Sequence, residues 1–198
     1  MAMEMRAYHK SAARYMDAQG LDPNGKYAMF VLRPWDDSQE WLDQVVRAAD
    51  HVYEEYGLTP VFYSFEPHRD ESINAMAAQR VKAPCKLLAS TSDGALLCGL
   101  IARMELVVSM RLHALIFACS QQTRIVGISY DPKVSGFMDY LGSRNCVDLG
   151  DLTTDLLREK ISDALREPEL SPNLSHLRDL AAENGRLAGK LLRGETIS

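Results

Sequence analysis

The chain has 198 residues, of which 25% are charged and 46% apolar, and a formal net charge of −5. These are the proportions of an ordinary soluble domain with a sizeable core. The acidic balance and the lack of a Lys/Arg stripe set nucleic-acid binding aside. The first residues, Met1-Ala2-Met3-Glu4-Met5-Arg6-Ala7-Tyr8, hold no apolar signal core. The longest apolar runs, such as Ala114 to Cys119, are far too short for a transmembrane segment. Cys85, Cys98, Cys119 and Cys146 form no CxxC pair, so neither zinc nor redox chemistry is indicated and the thiols read as reduced. The expected compartment is the cytoplasm, with room for peripheral attachment at the inner face of the membrane.

In chain order, a helix at about Met5 to Gln19 comes first, followed by the turn-rich linker Gly20-Leu21-Asp22-Pro23-Asn24-Gly25. Residues 1–25 thus read as a helix and linker, and 26–198 as the main domain. Strand one is Tyr27 to Leu32, ended by Arg33-Pro34-Trp35. Ser38 to Tyr56 is a helix, with Trp41, Leu42, Val45, Val46, Ala49 and Val52 at helical spacing and Gly57 as its C-terminal cap. Pro60 to Phe65 is strand two. Asp70 to Arg80 is a helix with Asp70 as its N-cap.

Lys86 to Ala89 is strand three, and Ser92 opens a helix running to about Arg103. Leu106 to Ser109 is strand four, and its helix ends near Ser120. Ile125 to Ser129 is strand five, followed by a short helix at Val134 to Tyr140. A weak sixth strand spans Cys146 to Leu149. Two amphipathic helices, Leu152 to Arg166 and Leu174 to Leu192, close the chain. Short β-rich runs alternating with amphipathic helices indicate a doubly wound, mostly parallel Rossmann-like sheet of about six strands with flanking helices.

Polar residues then gather where open α/β sheets bind ligands, beyond the carboxyl ends of the strands. Arg111 and His113 follow strand four at the opening of a helix. A cation there opposes the helix macrodipole unless an anion binds. The alternative is that Arg111 pairs with a neighbouring carboxylate and His113 is a satisfied core imidazole. Ser129, Tyr130, Asp131 and Lys133 leave strand five. Asp131-Pro132 makes an ordinary helix start, which leaves Tyr130 and Lys133 unassigned, and Lys suits a phosphate or carboxylate. Arg33 could reach a phosphoryl group, and Trp35 could stack on a base or sugar or merely cover its loop.

No GxGxxG follows strand one, which speaks against NAD or FAD. Glu66-Pro67-His68-Arg69-Asp70 matches no metal-ligand spacing, so no metal is expected. Together these positions describe an anion site with a proton donor, suited to a phosphorylated substrate.

Three motifs, Arg33-Pro34-Trp35, Met110-Arg111-Leu112-His113-Ala114-Leu115 and Tyr130-Asp131-Pro132-Lys133-Val134, occur in the order found in the polysaccharide pyruvyl transferase family. The chain resembles that family from about Tyr27 to the C-terminus. Its likeness is greatest to bacterial enzymes that pyruvylate N-acetylmannosamine in secondary cell-wall polymers. The resemblance implies half of a glycosyltransferase-B-like architecture and transfer of the pyruvyl unit of phosphoenolpyruvate to a sugar in a cell-surface polysaccharide precursor, forming a pyruvate ketal. Phosphoenolpyruvate is then the donor substrate, a nucleotide- or lipid-linked sugar the acceptor, and no cofactor is needed.

The resemblance also implies an N-terminal Rossmann domain of comparable size, which Met1 to Gly25 cannot supply. His113 is assigned as general acid, Lys133 and Arg111 as donor-binding cations, and Arg33, Trp35, Ser129, Tyr130 and Asp131 as substrate contacts. Two rival functions remain: a nucleotide-sugar-dependent glycosyltransferase domain, and a non-catalytic half that binds a nucleotide or glycan.

Overall fold

The computed structural model describes residues 2–35 and 39–166, with side chains from residue 9 onward. Its centre is a six-stranded sheet in the order β3-β2-β1-β4-β5-β6, and every pairing is parallel. The strands are β1 (Tyr27–Val31), β2 (Thr59–Tyr63), β3 (Lys86–Leu88), β4 (Leu106–Ser109), β5 (Arg124–Ser129) and β6 (Cys146–Asp148). β1 and β4 are buried along their whole length, as their unbroken apolar runs require in a sheet covered on both faces. The chain leaves β1 toward β2 on one side and returns to β4 on the other. The carboxyl ends of β1 and β4, in register at Val31 and Ser109, therefore flank the topological switch point.

Seven helices cover the sheet among the described residues: α1 (Ala2–Ala18), α2 (Glu40–Tyr56), α3 (Pro67–Arg80), α4 (Gly94–Ile101), α5 (Leu112–Ser120), α6 (Pro132–Tyr140) and α7 (Thr154–Arg166). α2, α3 and α7 bury one face of the sheet against Phe30, Phe62, Val108 and Ile128. The other face packs Met29, Val61, Val107 and Ile125 against α1, α4, α5 and α6. Strand alternation accounts for this split, since neighbours along each strand point to opposite faces. α1 is part of this core: Ala12 and Met16 are fully buried, and Arg103 donates to the carbonyls of Pro23 and His9 at 2.8 and 3.0 Å.

Two glycines serve tight geometry. Gly57 caps α2 with φ of 65°, its N–H bonding Tyr53 O at 3.0 Å, a conformation that disfavours a side chain. Gly127 lets α6 approach β5. A Cβ there would lie 3.1 Å from Met138 Cγ, 3.2 Å from Cys146 Sγ and 3.3 Å from Val134 Cγ1.

Several expected boundaries move for physical reasons. α3 begins at Pro67, not at Asp70, because proline at the first helical position loses no internal hydrogen bond. Asp70 is consequently not the N-cap; it lies one turn inside, with its carboxylate accepting the Glu66 N–H at 3.0 Å. α4 is capped by Asp93, whose carboxylate accepts from Ala95 and Leu96, one residue beyond the expected start at Ser92. A 3-10 turn, Leu149–Asp151, separates β6 from α7. The expected start of α2 at Ser38 and the helix at Leu174 to Leu192 lie outside the described residues.

Candidate active site at the carboxyl edge

The two turns that leave β4 and β5 are built alike. Ser109 Oγ bonds the carbonyl of Arg111 at 3.0 Å, and Ser129 Oγ bonds the carbonyl of Asp131 at 3.1 Å. Each serine is the last residue of its strand, is buried, and closes the turn into the next helix. Arg111 and Asp131 then occupy the N-cap positions of α5 and α6. Asp131 caps through its carboxylate, accepting the Lys133 N–H at 2.8 Å, so the ordinary helix-start reading accounts for it. Arg111 has no capping side chain to offer, and the amino end of α5 keeps free N–H groups.

His113 and Lys133 are each the second residue of their helix. Both side chains are exposed, and neither pairs with another described residue. β4 and β5 are adjacent, so His113 and Lys133 open neighbouring helices beyond the carboxyl edge, with the amino end of α5 uncapped and that of α6 capped by Asp131. An uncapped helix amino end is favourable for an anion.

Arg111 is placed differently. Its Nε and Nη2 reach the two carboxylate oxygens of Asp70 at 3.1 and 2.5 Å, and Nη1 reaches Glu66 Oε1 at 2.6 Å. Asp70 is fully buried, while the Arg111 side chain is 11% exposed and that of Glu66 48%. Burial works against the guanidinium charge, but the bonds to Asp70 and the nearby Glu66 outweigh it and hold the pKa above its ordinary value. Arg111 therefore stays charged, with two carboxylates balancing that charge. The pairing ties the β4–α5 turn to α3.

Asn74, one turn further along α3, continues this buried network. It accepts the Leu32 N–H at 3.1 Å, donates to the Leu32 carbonyl at 2.9 Å and donates to the Asp70 carbonyl at 2.8 Å. The backbone leaving β1 is thereby fixed next to the turn leaving β4. Neither Asn74 nor the partner role of Asp70 was expected from the sequence. The available signal was two polar residues four apart on a helix face that had to meet the sheet.

Arg33 and Tyr130 form a second cluster across the switch point. Arg33 Nη1 donates to the Tyr130 hydroxyl at 2.5 Å, its guanidinium lies 4.3 Å from the ring centroid, and the Trp35 ring lies 4.9 Å away. This cation–π contact and the tilted aromatic pair, 50° between ring planes, join the loop after β1 to the loop after β5 above β4. Trp35 remains 50% exposed. No group of three or more potential metal ligands occurs among the described residues, and no described helix is long and apolar enough to cross a membrane.

Comparison with solved structures gives the wider frame. A UDP-GlcNAc 2-epimerase from Methanocaldococcus jannaschii, in complex with UDP-GlcNAc and UDP, superposes with a TM-score of 0.62 at 13% identity, covering 92% of this chain and 51% of that one. The E. coli ADP-heptose heptosyltransferase II gives 0.58 at 15% identity, covering 79% and 51%. The isolated C-terminal domain of a group 1 glycosyl transferase (LpcC) from Francisella tularensis gives 0.54 at 10% identity, covering 83% and 89%.

At these identities the likeness is one of fold, that of one half of a glycosyltransferase-B-like enzyme. The chain spans about half the length of the first two structures. No curated protein sequence matches it. The family model for polysaccharide pyruvyl transferase matches residues 6–132, taking in α1 from residue 6 on, the Arg33-Pro34-Trp35 loop and the Met110 to Leu115 motif, and ending at Pro132, before Lys133. The chain belongs to the polysaccharide pyruvyl transferase family.

Proposed function

We propose that this domain supplies the donor-binding and acid–base half of a transferase that moves the pyruvyl group of phosphoenolpyruvate onto a sugar. The observation that carries this reading is the pairing of His113 and Lys133, unpartnered and exposed, at the amino ends of neighbouring helices α5 and α6. Phosphoenolpyruvate carries a phosphate and a carboxylate, and both need cationic or N–H partners. Lys133 and the free N–H groups of α5 meet that need.

The chemistry then requires a proton at the methylene carbon, and His113 at the opening of α5 is assigned to deliver it. Protonation converts the methylene to a methyl and leaves an oxocarbenium-like centre. One sugar hydroxyl attacks that carbon, the C–O bond to phosphate breaks, and a second hydroxyl closes the ketal. Of the two hydroxyl protons released, one balances the proton added to carbon and the other leaves with phosphate. Lys133 stabilises the departing phosphate. Arg111, with its charge balanced by Asp70 and Glu66, positions the β4–α5 turn from which His113 projects. Asp131 caps α6 and so sets Lys133, while Ser129 closes the same turn.

The acceptor is a nucleotide- or lipid-linked sugar of a cell-surface polysaccharide precursor, and the likeness in the motifs favours the cell-wall-polymer branch of the family. The remaining walls of the cleft come from an N-terminal Rossmann domain, a reading supported by solved structures of similar fold of which this chain covers about half. A second reading, transfer from a nucleotide sugar, draws on the fold shared with the epimerase that holds UDP-GlcNAc and UDP. Titration of the complete two-domain enzyme with phosphoenolpyruvate and with UDP-GlcNAc separates the two. Saturable phosphoenolpyruvate binding that weakens in Lys133→Ala supports pyruvyl transfer, and binding of the nucleotide sugar alone supports the other.

A further inference from the structure

Beyond Tyr130, on the side of the sheet covered by α2 and α7, the carboxyl edge opens into a cleft of about 360 Å3, within the size range of small-molecule sites. Its chemistry is opposite to that of the His113–Lys133 edge. Trp35, Trp41 and Tyr130 supply aromatic surface, Glu40 and Asp148 supply carboxylates, and Gln44 supplies an amide. No Lys or Arg is among the described residues lining it.

The Gln44 amide is oriented. Its Oε1 accepts both the Thr154 N–H at 2.9 Å and the Thr154 hydroxyl at 2.5 Å, which leaves Nε2 as the free donor end. The Asp148 carboxylate keeps one oxygen on the Gly150 N–H at 2.9 Å, and its second oxygen takes no partner among the described residues. Trp41, 7% exposed, has an indole N–H with no partner among them, but that atom is buried and Trp41 lines the cleft with its ring.

We propose that this cleft binds an uncharged sugar ring. The aromatic faces suit the apolar C–H face of a pyranose, the carboxylates accept from its hydroxyls in charge-assisted hydrogen bonds, and the Gln44 amide donates to a hydroxyl or acetamido oxygen. The nearest cation described, Arg33, is turned onto the ring and hydroxyl of Tyr130, and the two carboxylates of the lining disfavour phosphate and phosphoenolpyruvate. The donor edge and this cleft therefore sort their ligands by charge, and they meet at Tyr130. Identifying the bound ring as the acceptor rests on the pyruvyl transferase reading above; the binding itself rests on the cleft.

The test is direct because the chain has two tryptophans and both line the cleft. Tryptophan emission of the full chain is titrated with N-acetylmannosamine, glucose and galactose, with uridine as a nucleoside arm. A saturable change with at least one neutral sugar is expected, at an affinity on the order of millimolar for one small ring on an open site. Trp35→Ala, a half-exposed position, should remove the response still visible through Trp41. Glu40→Gln, also exposed, should weaken binding by about fivefold or more, one lost charge-assisted hydrogen bond. Circular dichroism confirms that both variants fold.

Lys133→Ala should leave the sugar titration unchanged, so failure of donor binding and failure of sugar binding are read separately. The proposal is overturned by no saturable response to any of the sugars. A response unaltered in both cleft variants, or a response to uridine alone, overturns it equally.

Discussion

The carboxylate of Asp70, wholly buried, grips the guanidinium of Arg111 by two hydrogen bonds, Nε to Oδ2 at 3.1 Å and Nη2 to Oδ1 at 2.5 Å. The contact joins α3 to the turn between β4 and α5, and the motif that carries His113 is held by it. Asp70→Ala leaves the largely buried Arg111 with Glu66 as its remaining carboxylate, so the loss of folding stability should lie toward the lower end of the about 3–5 kcal/mol of a broken buried pair. The joint replacement of Asp70 by Leu and Arg111 by Met should recover much of that loss, because both charges then leave together. Urea denaturation of the single and double variants measures the difference. A small loss in Asp70→Ala would mean that the pair does not organise the turn.

Asn74 offers a second check on the same network, from the side of β1. Asn74→Ala leaves the Leu32 N–H and C=O without their partners in a fully buried position. The expected cost is about 1–3 kcal/mol for each group left unsatisfied, read from the midpoint of thermal or urea unfolding. Asn74→Asp should be no better tolerated, since a carboxylate cannot donate to the Leu32 carbonyl.

The alternating strands and helices were legible because the strands are continuous apolar runs and the helices carry a 3.6-residue stripe. The parallel sheet and the placement of Arg33, Arg111 and Lys133 after β1, β4 and β5 follow from that pattern. The partner of Arg111 was not legible. Both possibilities, a free cation and a paired one, fit the local sequence, and Asp70 lies 41 residues away on another helix. Asp70 looked like a cap because Asp before an apolar stretch usually is one; Pro67 took the helix start instead. The cluster of Arg33, Tyr130 and Trp35 and the cleft beside it depend on two loops meeting above β4. Local spacing carries no information about such a meeting.

Packing of α6 on β5 has its own test. Gly127 already lies so close to Met138, Cys146 and Val134 that a Cβ would sit within 3.1 to 3.3 Å of them. Gly127→Val adds two further methyl groups to that contact and should destabilise the domain by about 1–3 kcal/mol through overpacking. It would also push α6, and with it Lys133, away from the sheet. Unfolding midpoints and donor affinity measured on the same variant should fall together.

Burial pushes the Cys119 thiol up from 9.0 to about 12 and the Cys146 thiol to about 11. Between these values the unfolded chain gives up the protons that the folded chain retains, so ν_U is below ν_N and stability falls as pH rises. The contribution of these thiols is therefore complete below about pH 9 and is lost as pH climbs through 11 and 12. Urea midpoints at pH 8 and pH 10.5 should show that loss, smaller in Cys119→Ala after allowing for its own cavity. Neither thiol should react appreciably with a disulfide reagent at pH 8 while the protein is folded.

The general-acid role proposed for His113 is tested most directly by steady-state kinetics of His113→Gln, beside Lys133→Ala, in an enzyme that joins this domain to the proposed N-terminal domain. Gln keeps a polar side chain of similar reach but cannot deliver a proton. Turnover should fall by on the order of a hundredfold or more with little change in phosphoenolpyruvate affinity, while Lys133→Ala should chiefly weaken donor binding. Near-normal turnover in His113→Gln would contradict the account and place the proton donor elsewhere.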